Sequence, residues 1–266
     1  MESQKSQLTA IKWKPHPGPQ TVFHQNWAYD CLFGGAKGPG KTECLLQEGL
    51  RQIGNRNYKA IIFRRTFPQI GEIVDRSFKY FLGMGAKYSD KDLQLKIPAW
   101  TFPSGAKYAF GHVQHEKDKY NYQGKEFSYM GFDQLEQFTE SQFLYLVAQN
   151  RTSDKKIQCY VRSSSNPGGV GHGWVRKRYI DSLFNPANPN EVLYKYFKRV
   201  DDEDIECDEN DPASVSRSFV FSTLFNNPSI MENDPNYLRR LKQLSNAEQE
   251  AFIYGNWDIF KGQFFN

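Results

Sequence analysis

Gly35-Ala36-Lys37-Gly38-Pro39-Gly40-Lys41-Thr42 decides how the rest of this 266-residue chain is read. The stretch has the form G-x-x-x-x-G-K-[ST]. It follows an apolar run, Ala28 to Phe33, and opens Lys41 to Gln52, where Leu45, Leu46 and Leu50 recur at helical spacing. Strand, glycine-rich turn and helix in that order form a phosphate-binding loop. Glycines let successive backbone N–H groups point inward around an anion, and the helix N-terminus adds partial positive charge. In this reading Gly35, Gly38 and Gly40 shape the turn. Lys41 reaches the β- and γ-phosphates of a nucleotide, and Thr42 offers its hydroxyl to Mg²⁺. Lys37 is either a second cation for the γ-phosphate or a solvated loop lysine.

Outward from the loop, strands alternate with helices. Lys59 to Phe63, Tyr129 to Phe132, Ile157 to Arg162, Val192 to Phe197 and Phe219 to Ser222 read as strands. Residues 69–82 and Glu140 to Gln149 read as helices, and Pro235 to Tyr254 as one long helix or a pair. Residues 95–111 form a hairpin turning near Pro103-Ser104-Gly105. The expected fold is α/β: a mostly parallel central sheet flanked by helices, with antiparallel additions and a small C-terminal closing subdomain. Residues 1–20, with Pro15, Pro17 and Pro19, read as an extended lead-in.

Composition limits the function classes. With 39% hydrophobic and 24% charged residues the chain can bury a core, which excludes wholesale disorder. Cys31, Cys44, Cys159 and Cys207 are too scattered for a disulfide framework or a paired zinc site, so free thiols are expected. The five histidines (His16, His24, His112, His115, His172) show no metal-ligand spacing. No apolar run is long enough to cross a bilayer, and the N-terminus lacks a secretory apolar segment; a soluble intracellular protein is expected. The net charge of +4 conceals an asymmetry. Asp201 to Asp211 carries eight acids and no base; without it, 34 basic residues face 22 acidic ones, a balance of +12. A basic body with an acidic loop suits a polyanionic partner, although a solvated surface with one disordered loop accounts for the charge equally.

A nucleotide-hydrolysing loop of this kind needs an acid on a neighbouring strand. Tyr129-Met-Gly-Phe132 ends in Asp133, which is the expected Mg²⁺ partner alongside Thr42. The next residue, where many such enzymes carry a water-activating Glu, is Gln134. An amide holds a water but takes no proton, so this chain is expected to be hydrolysis-impaired. Glu136, two residues on, is expected to point elsewhere.

Together these segments resemble the N-terminal ATPase domain of the terminase large subunit, the DNA-packaging motor of tailed bacteriophages. The resemblance spans nearly the whole chain. His16-Pro-Gly-Pro-Gln20 is similar to a Q-motif, in which Gln20 would read adenine. Phe33 through Thr42 is similar to the family's Walker A segment, basic loop residue included. Phe63-Arg-Arg-Thr66 looks like its strand-end arginine segment, which makes Arg64 a nucleotide contact. Asp133-Gln-Leu-Glu-Gln-Phe138 resembles the Walker B region, where the family pattern is Asp-Glu. Arg162-Ser-Ser-Ser-Asn-Pro-Gly-Gly169 with His172-Gly-Trp174 resembles the coupling segment, so Ser163, Ser164, Ser165 and Asn166 would sense the γ-phosphate. Phe225-Asn-Asn-Pro228, Tyr237-Leu and Tyr254-Gly-Asn-Trp257 resemble the stretch that closes the ATPase module.

The resemblance implies a P-loop NTPase of the ASCE type. Its expected divisions are a lead-in at 1–24, an ATPase core at 25–225 and a closing subdomain at 226–266, where Gly262-Gln-Phe-Phe265 leads toward a nuclease domain absent from this chain. It implies ATP and Mg²⁺ as cofactors and hydrolysis coupled to translocation of double-stranded viral DNA into a procapsid. Implied partners are the portal protein and the small terminase subunit. The chain would be a ring when assembled on the portal and a monomer alone, in the host cytoplasm and away from membranes. A trans-acting arginine is required; Gln123 stands where some relatives carry it, leaving Arg151 as first candidate and Lys125 as second. A helicase-like translocase and a nucleotide-binding, non-hydrolysing module are the competing readings.

Overall fold

The computed structural model describes residues 12–259, so the first half of the lead-in and Gly262-Gln-Phe-Phe265 lie outside the described residues. Ten strands form one sheet: β1 (Asp30–Gly35), β2 (Lys59–Arg64), β3 (Lys87–Ser89), β4 (Ala99–Thr101), β5 (Lys107–His112), β6 (Tyr129–Phe132), β7 (Tyr160–Ser165), β8 (Tyr194–Val200), β9 (Glu203–Cys207) and β10 (Val215–Ser222). Their spatial order is β3-β4-β5-β2-β6-β7-β1-β10-β8-β9. The stretch from β5 to β10 is parallel throughout, and the two flanks are antiparallel.

Parallel strands are covered on both faces, which is why their sequences are apolar without a break. Successive side chains still go to opposite faces. Cys31 and Phe33 join one core, with Ala60 and Ile62; Leu32 joins the other, with Ile61 and Phe63. The first core is covered by α1 (Pro19–Gln25), α2 (Lys41–Glu48) and α3 (Phe67–Phe81), through Phe23, Leu45, Leu46, Ile70, Ile73 and Phe81. The second is covered by α4 (Glu140–Val147), α5 (His172–Val175) and α6 (Asp181–Leu183), through Phe143, Leu146, Val175 and Leu183. Each fully buried Leu, Ile or Phe contributes about 1.5–3 kcal/mol, so these two layers hold the sheet. After β10 come α7 (Pro228–Asn233), α8 (Tyr237–Leu241) and α9 (Asn246–Gln249); Leu241 of α8 joins Leu224 and Ile253 of the flanking turns in a small third core on Ala36, at the start of the phosphate loop, with Ile230 and Met231 of α7 packed against it.

Two expectations change and one alternative is decided. The lead-in is not extended to Gln20: Pro19, with its φ preset, starts α1 and carries Phe23 into the core. The strand expected at 157–162 instead runs Tyr160–Ser165, because three serines continue it between β6 and β1. Of the two readings of 235–254 the pair is found: Ser245 caps a second helix, accepting from the Glu248 N–H at 3.3 Å, and the chain then passes through a π turn at Glu250–Tyr254.

The acidic segment is also no disordered loop. Glu203–Cys207 pairs with β8 at the sheet edge, where charge blunts edge-to-edge association. Asp204 faces Arg178 at 2.5 Å, Arg217 at 3.0 Å and Arg199 at 3.4 Å. Asp30, at the start of β1, accepts from Tyr179 at 2.9 Å and from Arg178 at 3.2 Å. Two buried arginines therefore share two acids, whereas Lys195 with Glu206 forms a partly exposed pair at 2.8 Å.

Asp204→Ala leaves the buried Arg178 and Arg217 to share Asp30 alone and should lower the unfolding free energy by about 3 kcal/mol. Glu206→Ala should change it by less than ~1 kcal/mol. Urea denaturation of the two variants measures the contrast; equal effects would contradict this account of the segment.

Candidate functional site

The site begins where β1 runs out. Gly35 has φ +124°, and a Cβ there would collide with the Ser222 carbonyl oxygen of β10. That oxygen accepts the Ala36 N–H at 2.9 Å, so the loop leaves the sheet pinned to its neighbour. Gly40, φ +83°, is the N-cap of α2, and a Cβ would come within 2.7 Å of Gln20 Nε2. Gln20 is buried behind the loop. It accepts from the His16 N–H and donates to the Pro39 carbonyl, both at 2.9 Å. It thus braces the loop from behind and does not line the cavity in front.

That cavity, of about 570 Å³, opens at the carboxyl ends of β1, β7 and β6, the usual ligand position in such sheets. Lys41, Thr42, Arg64, Asp133, Gln134, Ser164 and Asn166 share its wall with Lys37, Gly38 and Gly40. Lys41 Nζ is buried. It donates to the carbonyls of Gly35 at 3.3 Å and Ala36, and to Asn166 Oδ1 at 2.9 Å. Burial lowers its pKa, against the pull of Glu136 and Asp133. Lys37 rests its ammonium 3.5 Å from the Phe252 ring centroid, which ties the loop to the closing segment; burial lowers its pKa too.

Asp133 gathers the site. Its carboxylate accepts from Thr42 Oγ1 at 3.1 Å, from Arg64 Nε at 2.6 Å and from Ser164 Oγ. Arg64 is therefore brought in as the counter-ion of Asp133, with Glu72 a weaker partner at 3.8 Å. A hydroxyl and a carboxylate are hard oxygen donors and fit Mg²⁺, which is content to take its other ligands from water and phosphate. Among the described residues there is no cluster of three or more His, Cys, Asp or Glu that would hold a metal unaided.

Of the four residues expected to couple, Ser164 and Asn166 line the cavity, and Ser165 reaches Glu136 beside it. Ser163 is buried within the sheet, in register with Leu32 and Phe132, and its hydroxyl finds no partner. Gln134 sits in the left-handed region at φ 61°, and its N–H donates to Ser164 Oγ at 3.1 Å. Its side-chain oxygen accepts from Gln137 at 2.6 Å, on the side of α3, where Gln69 extends the chain of amides.

Glu136 does not point elsewhere. The 3₁₀ turn Leu135–Gln137 swings it back onto the end of β7. There it accepts from Ser165 Oγ at 2.8 Å, from the Asn166 N–H at 3.2 Å and from Asn166 Nδ2 at 3.3 Å. Burial raises its pKa despite these bonds and the nearby Lys41 charge. The closing segment adds Asn227, Ser229, Asn233 and Tyr237, and Asn227 Nδ2 donates to the Gly38 carbonyl at 2.7 Å. Arg151 is not brought in. It is exposed beside Phe127, at the opposite end of β6 from Asp133. Lys125 donates to the Leu95 carbonyl at 2.9 Å.

Residues 32–266 match the family model described as terminase large subunit, T4likevirus-type, N-terminal. The fold is similar to that of the large terminase from a thermophilic bacteriophage in complex with ADP: TM-score 0.61, 14% identity, covering 91% of this chain and 54% of that one. The ATP-γ-S complex of the same phage terminase gives 0.55, 15%, 91% and 53%. The large terminase ATPase domain of Thermus phage P74-26 gives 0.54 at 12% identity, covering 92% of this chain and 94% of that one. The chain thus spans about half the length of the terminase seen with ADP. A search of curated proteins finds no match.

Gly35→Ala should destabilise the chain by about 2 kcal/mol or more, since the loop exit has neither the conformation nor the room for a Cβ. Gly54→Ala, with nothing within 4 Å of the new methyl, is the control. Thermal unfolding of both reads the difference.

Proposed function

Since the chain belongs to the T4-like-virus type of terminase large subunits, as their N-terminal part, we propose that it is the ATPase module of a phage DNA-packaging motor. One observation carries this reading: Lys41 and Thr42 of α2, Asp133 after β6 and Asn166 after β7, from three separate segments, converge on a single cavity at the carboxyl ends of parallel strands. The nucleotides in the two complexes of the thermophilic phage terminase support the same ligand class.

In this reading the phosphates of ATP displace the Gly35 and Ala36 carbonyls from Lys41, and the loop N–H groups and the N-terminus of α2 bind them. Thr42 and Asp133 hold Mg²⁺, which would neutralise charge on the phosphates. Arg64 orients Asp133, and Gln20 keeps the loop braced at Pro39. Ser164 and Asn166 link the phosphate end of the cavity to the loop after β7. Gln134 supplies no base, so hydrolysis is impaired unless another carboxylate serves the attacking water.

The energy released would drive double-stranded DNA past the subunit. The grip would be on phosphates through Lys and Arg, without base readout, because a packaging motor must accept any sequence. The larger assembly would be a ring on the portal with the small terminase subunit, in the host cytoplasm. Its trans-acting cation, for which Arg151 remains the proposed residue, would serve a neighbouring subunit's site. No helix among the described residues is long and apolar enough to cross a membrane.

Lys41→Ala should raise the Kd for Mg-ATP at least ~30-fold, from the loss of charge-assisted contacts worth about 2 kcal/mol. Titration with a fluorescent ATP analogue tests it; an unchanged Kd sinks the nucleotide reading. Duplex DNA should bind with equal affinity whatever its sequence, and log K should fall linearly with log salt concentration. Anisotropy titrations with two unrelated duplexes check this, and a marked preference for one of them would argue against a packaging role.

A further inference from the structure

We infer that Glu136, and not the residue following Asp133, is the general base that activates water for ATP hydrolysis in this chain. The inference rests on the nucleotide reading of the cavity and assigns the catalytic group that Gln134 leaves missing.

The two side chains leave the end of β6 in opposite directions. Gln134 is drawn by Gln137 and, at 3.5 Å, by Arg64 toward β2 and α3. Glu136 is drawn by Ser165 and Asn166 toward β7 and the phosphate loop. The strand order β1-β7-β6 makes this consequential: β7 lies between the loop strand and the Asp133 strand, so a carboxylate on the tip of β7 stands beside Lys41. Asn166 bonds both, with Oδ1 on Lys41 Nζ and Nδ2 on Glu136 Oε1.

Glu136 also has a chamber to work in. A cavity of about 310 Å³ is lined by Lys37, Gln134, Glu136, Asn166 and Phe252, among others. Lys37, Gln134 and Asn166 line the nucleotide cavity as well, so the two chambers meet at the loop end where the γ-phosphate would lie. The space is polar and roomy enough for water. Glu136 Oε2 accepts from Ser165 and the Asn166 N–H, and Oε1 accepts from Asn166 Nδ2 at a long 3.3 Å; a carboxylate has about four acceptor sites, which leaves room for a water. Burial makes the carboxylate more basic than an exposed one, as a group that takes a proton from water needs to be.

The Pro167-Gly-Gly169 segment fits this assignment. Gly169, at φ +77°, lies against the Glu136 backbone; a Cβ would stand 2.7 Å from its carbonyl oxygen. The same oxygen accepts the Gly171 N–H at 2.7 Å. The glycines after β7 let the loop close over Glu136 and lock its backbone.

In the reaction, the water oxygen forms a bond to the γ-phosphorus while its proton passes to Glu136. The bond from that phosphorus to the β–γ bridging oxygen breaks, and the oxygen keeps the electron pair on departing ADP. The proton then leaves Glu136 for inorganic phosphate or solvent.

The test compares Mg-ATP affinity with phosphate release on linear duplex DNA, for the full chain and its Glu136→Gln, Glu136→Asp and Gln134→Glu variants. Glu136→Gln should lower kcat by about 10²-fold or more while the Kd stays within ~3-fold. Glu136→Asp should fall between the two, which separates a shortened base from a lost fold. Two results overturn the proposal: Glu136→Gln turning over within ~3-fold of the parent, or a parent chain that binds Mg-ATP and releases phosphate only after Gln134→Glu. Failure to bind Mg-ATP would instead bring down the nucleotide reading on which the proposal rests.

Discussion

The Asp133 carboxylate holds the working end of this molecule together. It takes the Thr42 hydroxyl from α2, the Arg64 guanidinium from β2 and the Ser164 hydroxyl from β7, and it is itself the end of β6. An unpaired charge in that position would cost several kcal/mol, so the three partners are needed as much as the acid. The consequence is geometric. Strand ends that hydrophobic packing would place only approximately are fixed to within hydrogen-bond distances of one another. The phosphate loop, lying on the far side of β7 from Asp133, inherits that order through Thr42.

A second layer of polar bonding follows from the first. With Ser164 committed to Asp133, the neighbouring Ser165 and Asn166 are held on the tip of β7, where they meet Glu136 and Lys41. Three serines in a central strand would weaken it if their hydroxyls lacked partners. Here Ser164 and Ser165 are satisfied within the site, and Ser163 alone of the three stays in the sheet without one. The polarity of β7 is therefore the cost of a strand that carries polar groups to the wall of a cavity, offset by the apolar strands on either side.

What is legible in the sequence tracks the range of the forces involved. The phosphate loop, β2, β6 and the hairpin at 95–111 are written locally, in glycine spacing and unbroken apolar runs, and their positions are readable to within a few residues. The acidic segment is not. Strand propensity argues against Asp and Glu; pairing with β8, whose Arg199 lies opposite Asp204, and the more distant Arg178 and Arg217 make Glu203–Cys207 a strand. The lead-in helix is hidden because Pro19 reads as a breaker until it is seen to occupy a first turn. Within the site, Lys41, Thr42 and Asp133 follow from motif chemistry. The direction of Glu136 depends on a single 3₁₀ turn and on the positive φ of Gln134, and no periodicity announces either.

Residues that bind are distinct from residues that brace, and motif chemistry alone does not tell them apart. Gln20 and Asn227 both belong to stretches singled out for their resemblance to nucleotide-site segments, and both grip the phosphate loop by its carbonyls, at Pro39 and Gly38. A loop built on glycines loses more conformational entropy on ordering than any other backbone, and it must be ordered before its N–H groups can converge on an anion. Two amides, one from α1 and one from the segment after β10, supply that order from opposite sides. Lys37 adds a third tie through Phe252. The closing segment is thus fastened to the loop at two points and shares the cavity wall through Ser229 and Tyr237. Loop and closing segment are therefore held as one unit, and their relative position is set by these polar and cation–π contacts as well as by the small apolar core beneath them.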